Sequence, residues 1–124
     1  MYSEKIMEEF YNVERYDVIK GASGVGKITC DIGSEIIKIY IKVEDEKIVD
    51  AKFQTFGGVV AIAATSVATN FIVGKSIAEA KTFNANKITE VLGDVPENKS
   101  YILPLVVGAV LGAIDSFYNK SAKD

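Results

Sequence analysis

From Glu35 to Thr69 the chain reads EIIKIYIKVEDEKIVDAKFQTFGGVVAIAATSVAT, and no other stretch restricts the fold as tightly. Ile37, Ile39, Ile41 and Val43 alternate with Lys38, Tyr40, Lys42 and Glu44, the period of a half-buried strand. Asp45 and Glu46 make a short turn. The alternation then resumes, with Val49, Ala51, Phe53 and Thr55 set against Asp50, Lys52 and Gln54. One wet face and one dry face predict an antiparallel meander covered by helices on one side only. Gly57-Gly58 leads out of the second strand into Val59–Ile72, apolar almost all round, which predicts a buried helix ended by Gly74.

The remaining elements arrange themselves around this unit. Ser3 is a candidate N-cap for a short helix bearing Ile6, Met7 and Phe10 on its apolar side. Tyr11 to Lys20 is polar and irregular, glycines 21, 24 and 26 punctuate a loop, and Gly26 to Asp31 is a candidate first strand. Ser76–Ala80 and Ala85–Leu92 read as short helices, Asp94–Ser100 as a loop containing Pro96, and Leu103–Tyr118 as a last helix with Pro104 in its first turn. The order α-β-β-β-α-α-α-α predicts a single α+β two-layer domain over residues 1–124, a three-stranded antiparallel sheet packed by helices.

With 124 residues, 48% of them hydrophobic and 25% charged, the chain can bury one core unaided. A net charge of −3 and one arginine, Arg15, argue against nucleic-acid binding, which needs a basic, fork-bearing surface. Histidine is absent, which removes the usual general base near neutral pH and the commonest metal ligand. Cys30 stands alone, so no intramolecular disulfide forms. The N-terminus lacks the pattern of a signal peptide, and the apolar run Tyr101–Ile114 falls short of the ~18 residues of a membrane span. A cytoplasmic location without membrane contact is the expectation.

Several short motifs suggest chemistry. Gly21-Ala-Ser-Gly-Val-Gly-Lys27 nearly spells a phosphate-binding loop, but Ile28 stands where the Mg²⁺-binding hydroxyl belongs, and the segment leads into a strand rather than a helix. Cys30 with Asp31, Ser34 and Glu35 is the one cluster of candidate metal ligands. It lacks the four cysteine- and histidine-rich donors of structural zinc, and a lone cysteine is most often a small buried hydrophobe. Glu8-Glu9 and Glu44-Asp45-Glu46 read as solvated surface, and Thr65 and Ser66 have no base to activate them. Gly57-Gly58 either offers free N–H groups to an anion at the helix start or lets the chain turn sharply. No enzymatic centre emerges.

The opening Tyr-Ser-Glu-Lys, the arm Lys38-Ile-Tyr-Ile-Lys-Val-Glu-Asp45, Lys47-Ile-Val-Asp-Ala-Lys-Phe53 and Thr55-Phe-Gly57 resemble the IscU/NifU N-terminal-type iron–sulfur cluster assembly scaffolds, over roughly Tyr2 to Ile114. The resemblance implies a SufE/IscU-like fold with a cluster site where three segments meet at one end. In each segment this chain departs from the family. The family's Cys-Gly-Asp is Gly33-Ser34-Glu35, with Cys30 three residues too early unless a local insertion restores it. The cysteine after Thr-Phe-Gly is Gly58. The His-Cys pair is Tyr101-Ile102, and the chaperone-recognised stretch before it keeps only Pro96 and Lys99.

The resemblance therefore implies a divergent member without cluster ligands: a non-enzymatic accessory or regulatory protein acting through protein contacts, with no cofactor. Cysteine desulfurase or other assembly proteins are its implied partners. One alternative is a carrier of a cluster or zinc that pools Cys30 and Glu35 between subunits. Another is a small-ligand module using the vacated pocket beside Gly58. Finally, the last helix has hardly a polar position between Leu103 and Ile114, so composition predicts a homo-oligomer in which a partner covers Leu111 and packs closely at Gly108 and Gly112.

Overall fold

The computed structural model describes residues 2–123, with side chains described through Lys120. Helix α1 (Glu4–Tyr11) is followed by strands β1 (Gly24–Thr29), β2 (Ile36–Glu44) and β3 (Lys47–Phe56), then helices α2 (Val59–Ile72), α3 (Ile77–Ala80), α4 (Ala85–Leu92) and α5 (Ile102–Lys123). A single 3₁₀ turn, Glu97–Lys99, precedes α5. The expected element order and the antiparallel meander are both present, with strand order β1-β2-β3. The first strand starts two residues earlier than the sequence predicts, and α5 runs five residues further.

The dry face of the sheet is built by Ile37, Ile39, Ile41, Ala51 and Phe53, all fully buried under α2 and α5. In β3 the sequence pattern errs at one position. Val49 is 45% exposed while Ile48 is buried, because Lys42 pairs with Asp50 but Val43 pairs with Ile48. That register shift makes Val49 the extra residue of a β-bulge and reverses the inside–outside order at the strand's start. The Asp45-Glu46 turn is a two-residue hairpin with φ of 51° and 61°, the left-handed geometry that matches strand twist.

The glycines that imitate a phosphate loop have a packing role. Gly24 and Gly26 lie one pleat apart on the same face of β1, against the backbone of α5. A Cβ on Gly26 would overlap the Ala109 carbonyl oxygen and come within 2.5 Å of Ala113 N, and one on Gly24 would overlap the Ala113 carbonyl oxygen. Removing these side chains lets helix and strand backbones touch. Ser116 Oγ completes the seam by accepting from Val25 N at 3.1 Å.

This seam corrects the expectations for the last helix. Val106 and Val110 are 0% and 1% exposed within the chain's own fold, because β1, β2, α2 and α4 all pack on α5. Gly108 faces Ile28 and Gly112 faces Gly26, so the close approach expected of a second helix is made by β1. Among the described residues of α5, the large hydrophobics left exposed are Leu111 and Tyr118, each 39% exposed. The segment Glu97–Lys120 is long and apolar enough by length and mean hydropathy (1.7) to cross a membrane, longer than the apolar run Tyr101–Ile114 that the sequence alone marks. Its unbroken apolar part, Ile102–Ile114, rises only about 20 Å at 1.5 Å per residue, against a bilayer core of about 30 Å.

Candidate functional site

Three loops converge at one end of the sheet. The β1–β2 hairpin brings Cys30 and Glu35 opposite each other, just beyond the last paired residues Thr29 and Ile36. Cys30 N donates to the Glu35 carbonyl at 2.8 Å, and Ser34 N to the Cys30 carbonyl at 3.1 Å, with Ser34 at φ 65°. The β3–α2 junction supplies Gly57 (φ 144°) and Gly58 (φ 101°), the latter capping α2. The turn before α5 supplies Tyr101, with Ile102 buried behind it.

The centre of this end is a carboxylate–phenol pair that the sequence reading missed. Tyr101 Oη donates to Glu35 Oε2 at 2.6 Å, and Glu35 is only 2% exposed. Both neighbouring glycines are shaped to it. A Cβ on Gly33 would overlap the Glu35 carboxylate and the Tyr101 hydroxyl, and one on Gly57 would lie 2.6 Å from Glu35 Cγ. The hydrogen bond to Glu35 is the main cause that holds the Tyr101 proton, pushing its pKa from 10 to about 12. Burial and the charges of Glu35 and Cys30 add to it. Glu35 Oε1 is buried and has no hydrogen-bond partner among the described residues.

Of the positions singled out by sequence, Cys30, Gly33, Ser34, Glu35, Gly57, Gly58, Tyr101 and Ile102 all fall at this end, and Cys30, Glu35 and Tyr101 supply its titratable side chains. Cys30 is a half-buried free thiol. Gly58 has open space around its missing side chain, but its φ of 101° is one that other residues resist. Pro96 caps the 3₁₀ turn and Lys99 ends it, both half-buried, and Leu111 and Gly108 lie further along α5. Among the described residues no group of three or more Cys, His, Asp or Glu is placed to hold a metal.

The expected pocket beside Gly58 is a different matter. A cavity of about 350 Å³ lies between α1, α2 and α4, lined by Glu9, Val67, Asn70, Phe71, Lys87, Glu90 and Val91. It opens about 15 Å along α2 from Gly58, at 1.5 Å per residue. Its polar edge is tied down: Ser66 Oγ donates to Glu9 Oε2 at 2.6 Å, Asn70 Nδ2 to the same oxygen at 3.3 Å, and Arg15 Nε to Asn70 Oδ1 at 2.9 Å.

Residues 1–124 match the family model described as the NifU-like N terminal domain. The chain belongs to that family. It is 38% identical over 123 residues to the Archaeoglobus fulgidus "Iron-sulfur cluster assembly scaffold protein IscU 1", spanning 99% of this chain and 80% of that protein. It is 33% identical over 123 residues to the Escherichia coli "Iron-sulfur cluster assembly scaffold protein IscU", spanning 96% and 95%. A Drosophila melanogaster relative, 35% identical over 130 residues with 99% and 82% covered, is named an "Iron-sulfur cluster assembly enzyme IscU". Among solved structures, a putative iron–sulfur cluster assembly scaffold from Fervidobacterium islandicum superposes with a TM-score of 0.77 at 24% identity, covering 91% of this chain and 96% of that one. That likeness supports the three-stranded α+β fold.

The cluster that such scaffolds are named for does not fit the residues present. Iron in a protein-held cluster takes thiolate or imidazole ligands, and this end offers one thiol, one buried carboxylate and one phenol, with Asp31 exposed on the hairpin turn. Position 33 has no room for a cysteine while Glu35 and Tyr101 hold their places.

Proposed function

We propose that the chain is a cluster-free member of the scaffold family that acts through protein contacts and not as an enzyme, an accessory or regulator in iron–sulfur assembly. The observation that carries this reading is the Tyr101–Glu35 hydrogen bond, which occupies the space between the three ligand-bearing loops. Tyr101 and Glu35 stand where a histidine and an acid would, so the fold keeps its closed end without a metal to draw the loops together. Pro96 and Lys99, exposed in part beside the 3₁₀ turn, are the contact points proposed for an assembly partner such as a cysteine desulfurase. Anaerobic reconstitution with iron and sulfide tests the reading. No stoichiometric absorbance should appear near 400 nm, roughly the thiolate-to-iron charge-transfer region. A stable band lost in Cys30→Ser would overturn it.

One observation favours a second reading, a carrier of a single metal ion. Glu35 Oε1 is buried without a partner, and Cys30 lies across the hairpin from it. A buried carboxylate oxygen without a donor is costly and can be satisfied by a cation. Stoichiometric zinc retained through gel filtration by the wild type, and lost in both Cys30→Ser and Glu35→Gln, would decide for the carrier.

A further inference from the structure

The uncovered face of the sheet carries a cluster of positive charge on a chain whose net charge is −3. Lys27 stands directly across from Lys38, with Gln54 beyond it, and the next rung holds Val25, Tyr40 and Lys52. Like charges directly opposite on neighbouring strands destabilise a sheet. Among the described residues, none of these three lysines has a carboxylate within 4.0 Å. The acid on the following rung, Asp50, is taken by Arg15 at 3.5 Å. Lys38 Nζ lies 5.2 Å above the Tyr40 ring, and Tyr40 Oη donates to Gln54 Oε1 at 2.8 Å, so the cluster has an ordered aromatic floor. At its edge Ile36 pairs with Phe56, which is 66% exposed.

We infer that this face docks an acidic segment of a partner protein, its carboxylates meeting Lys27, Lys38 and Lys52 and its apolar side chains meeting the exposed Ile36 and Phe56. The alternation of lysine with aromatic and aliphatic side chains suits a protein surface, whose contact centres favour aromatics. A phosphate polymer suits it poorly: the arginine nearest this face, Arg15, is engaged by Asp50 and Asn70, which leaves lysine point charges without a guanidinium fork. The face spans roughly 15 Å by 20 Å from strand spacing and rise, which places the contact in the small, transient class of interfaces. The inference goes beyond the proposed function and does not depend on whether the ligand end holds metal.

The test is fluorescence anisotropy of a fluorescein-labelled, Glu- and Asp-rich decapeptide containing two leucines, titrated with the full chain at low salt. Saturable binding should weaken at least about tenfold between 20 and 200 mM salt, and at least about tenfold in Lys27→Glu and in Lys38→Gln. Lys81→Glu, on the helical side, should bind as wild type does. Lys27→Glu should also melt about 1–3 °C higher than wild type, because an opposite-charge pair replaces a repulsive one. Four results would each overturn the inference. They are no saturable binding up to about 1 mM protein, equal binding by wild type and both variants, tighter binding of oligo-dT or phosphatidylserine vesicles than of the peptide, and a Lys27-dependent dimer by light scattering.

Discussion

Replacing Gly26 by alanine adds one methyl group and should cost this protein a large part of its stability. The added Cβ would overlap the Ala109 carbonyl oxygen and stand 2.5 Å from Ala113 N and 3.0 Å from Ala109 C. All three atoms belong to the α5 backbone, so no rotamer change relieves the clash. The helix must back away from β1 by about 1 Å, and a gap of that size forfeits a quarter to a half of each dispersion contact along the seam. Val106, Ala109, Val110 and Ala113 all lie along it, each 0–1% exposed. Overpacking costs about 1–3 kcal/mol, and the unyielding backbone puts Gly26→Ala at the upper end, about 3 kcal/mol out of a typical 5–15. Gly108→Ala is the counterpart. Its Cβ would sit 3.6 Å from Ile28 Cδ1, ordinary contact, while a helix interior gains about 0.5–1 kcal/mol from alanine over glycine. Urea unfolding should therefore move in opposite directions for the two variants at constant m. A Gly26→Ala midpoint within error of wild type would refute the close seam, and a destabilised Gly108→Ala would show that glycine is needed there for another contact.

Three further outcomes follow from the site and from α5. Tyr101→Phe leaves both Glu35 oxygens unsatisfied and should lower the urea unfolding midpoint. Because folding raises the Tyr101 pKa from 10 to about 12, the folded chain keeps a proton that the unfolded chain loses. Stability is thus full below pH 10 and falls between pH 10 and 12, and Tyr101→Phe should show a shallower fall. An equal slope in both proteins would remove the coupling. Cys30→Ser should change stability by no more than about 1–2 kcal/mol, since the thiol is only half-buried and unpaired by disulfide; complete unfolding would expose a missed role. Leu111→Lys should leave the light-scattering mass at micromolar concentration unchanged, because the rest of the apolar helix is already covered; a drop from dimer to monomer would restore α5 as a self-association surface.

The sheet was legible in the sequence because strand alternation and the Asp45-Glu46 turn are local signals, and α2 because a helix apolar all round has no place but the core. Val49 was misplaced because a bulge is set by pairing with another strand, which periodicity within one strand does not record. Composition made α5 appear to need a partner. Its cover is a strand some eighty residues earlier, and the only trace of that contact in the sequence is the spacing of Gly24 and Gly26 against Gly108 and Gly112. At the hairpin end, the family resemblance implies ligand positions at 33, 58, 101 and 102, and the absence of cysteine and histidine there is legible in the sequence. The gain is not: Glu35 and Tyr101 are sixty-six positions apart, and nothing local says that they meet.

The packing around that pair also bears on whether the ligands are recoverable by single steps. A cysteine at position 33 overlaps the Glu35 carboxylate and the Tyr101 hydroxyl where they now stand, so one or both must shift or change with it. Changing Tyr101 alone strands a buried carboxylate, the costlier half of the pair. Position 58 has the space for a thiol but a backbone angle suited to glycine, and position 102 would exchange a buried isoleucine for a smaller side chain and a void. Each route back therefore begins downhill in stability before any ligand set is complete. The ligand end behaves as a ratchet: it is held in its present chemistry by the mutual dependence of Gly33, Glu35 and Tyr101, and only concerted replacement of several residues would release it.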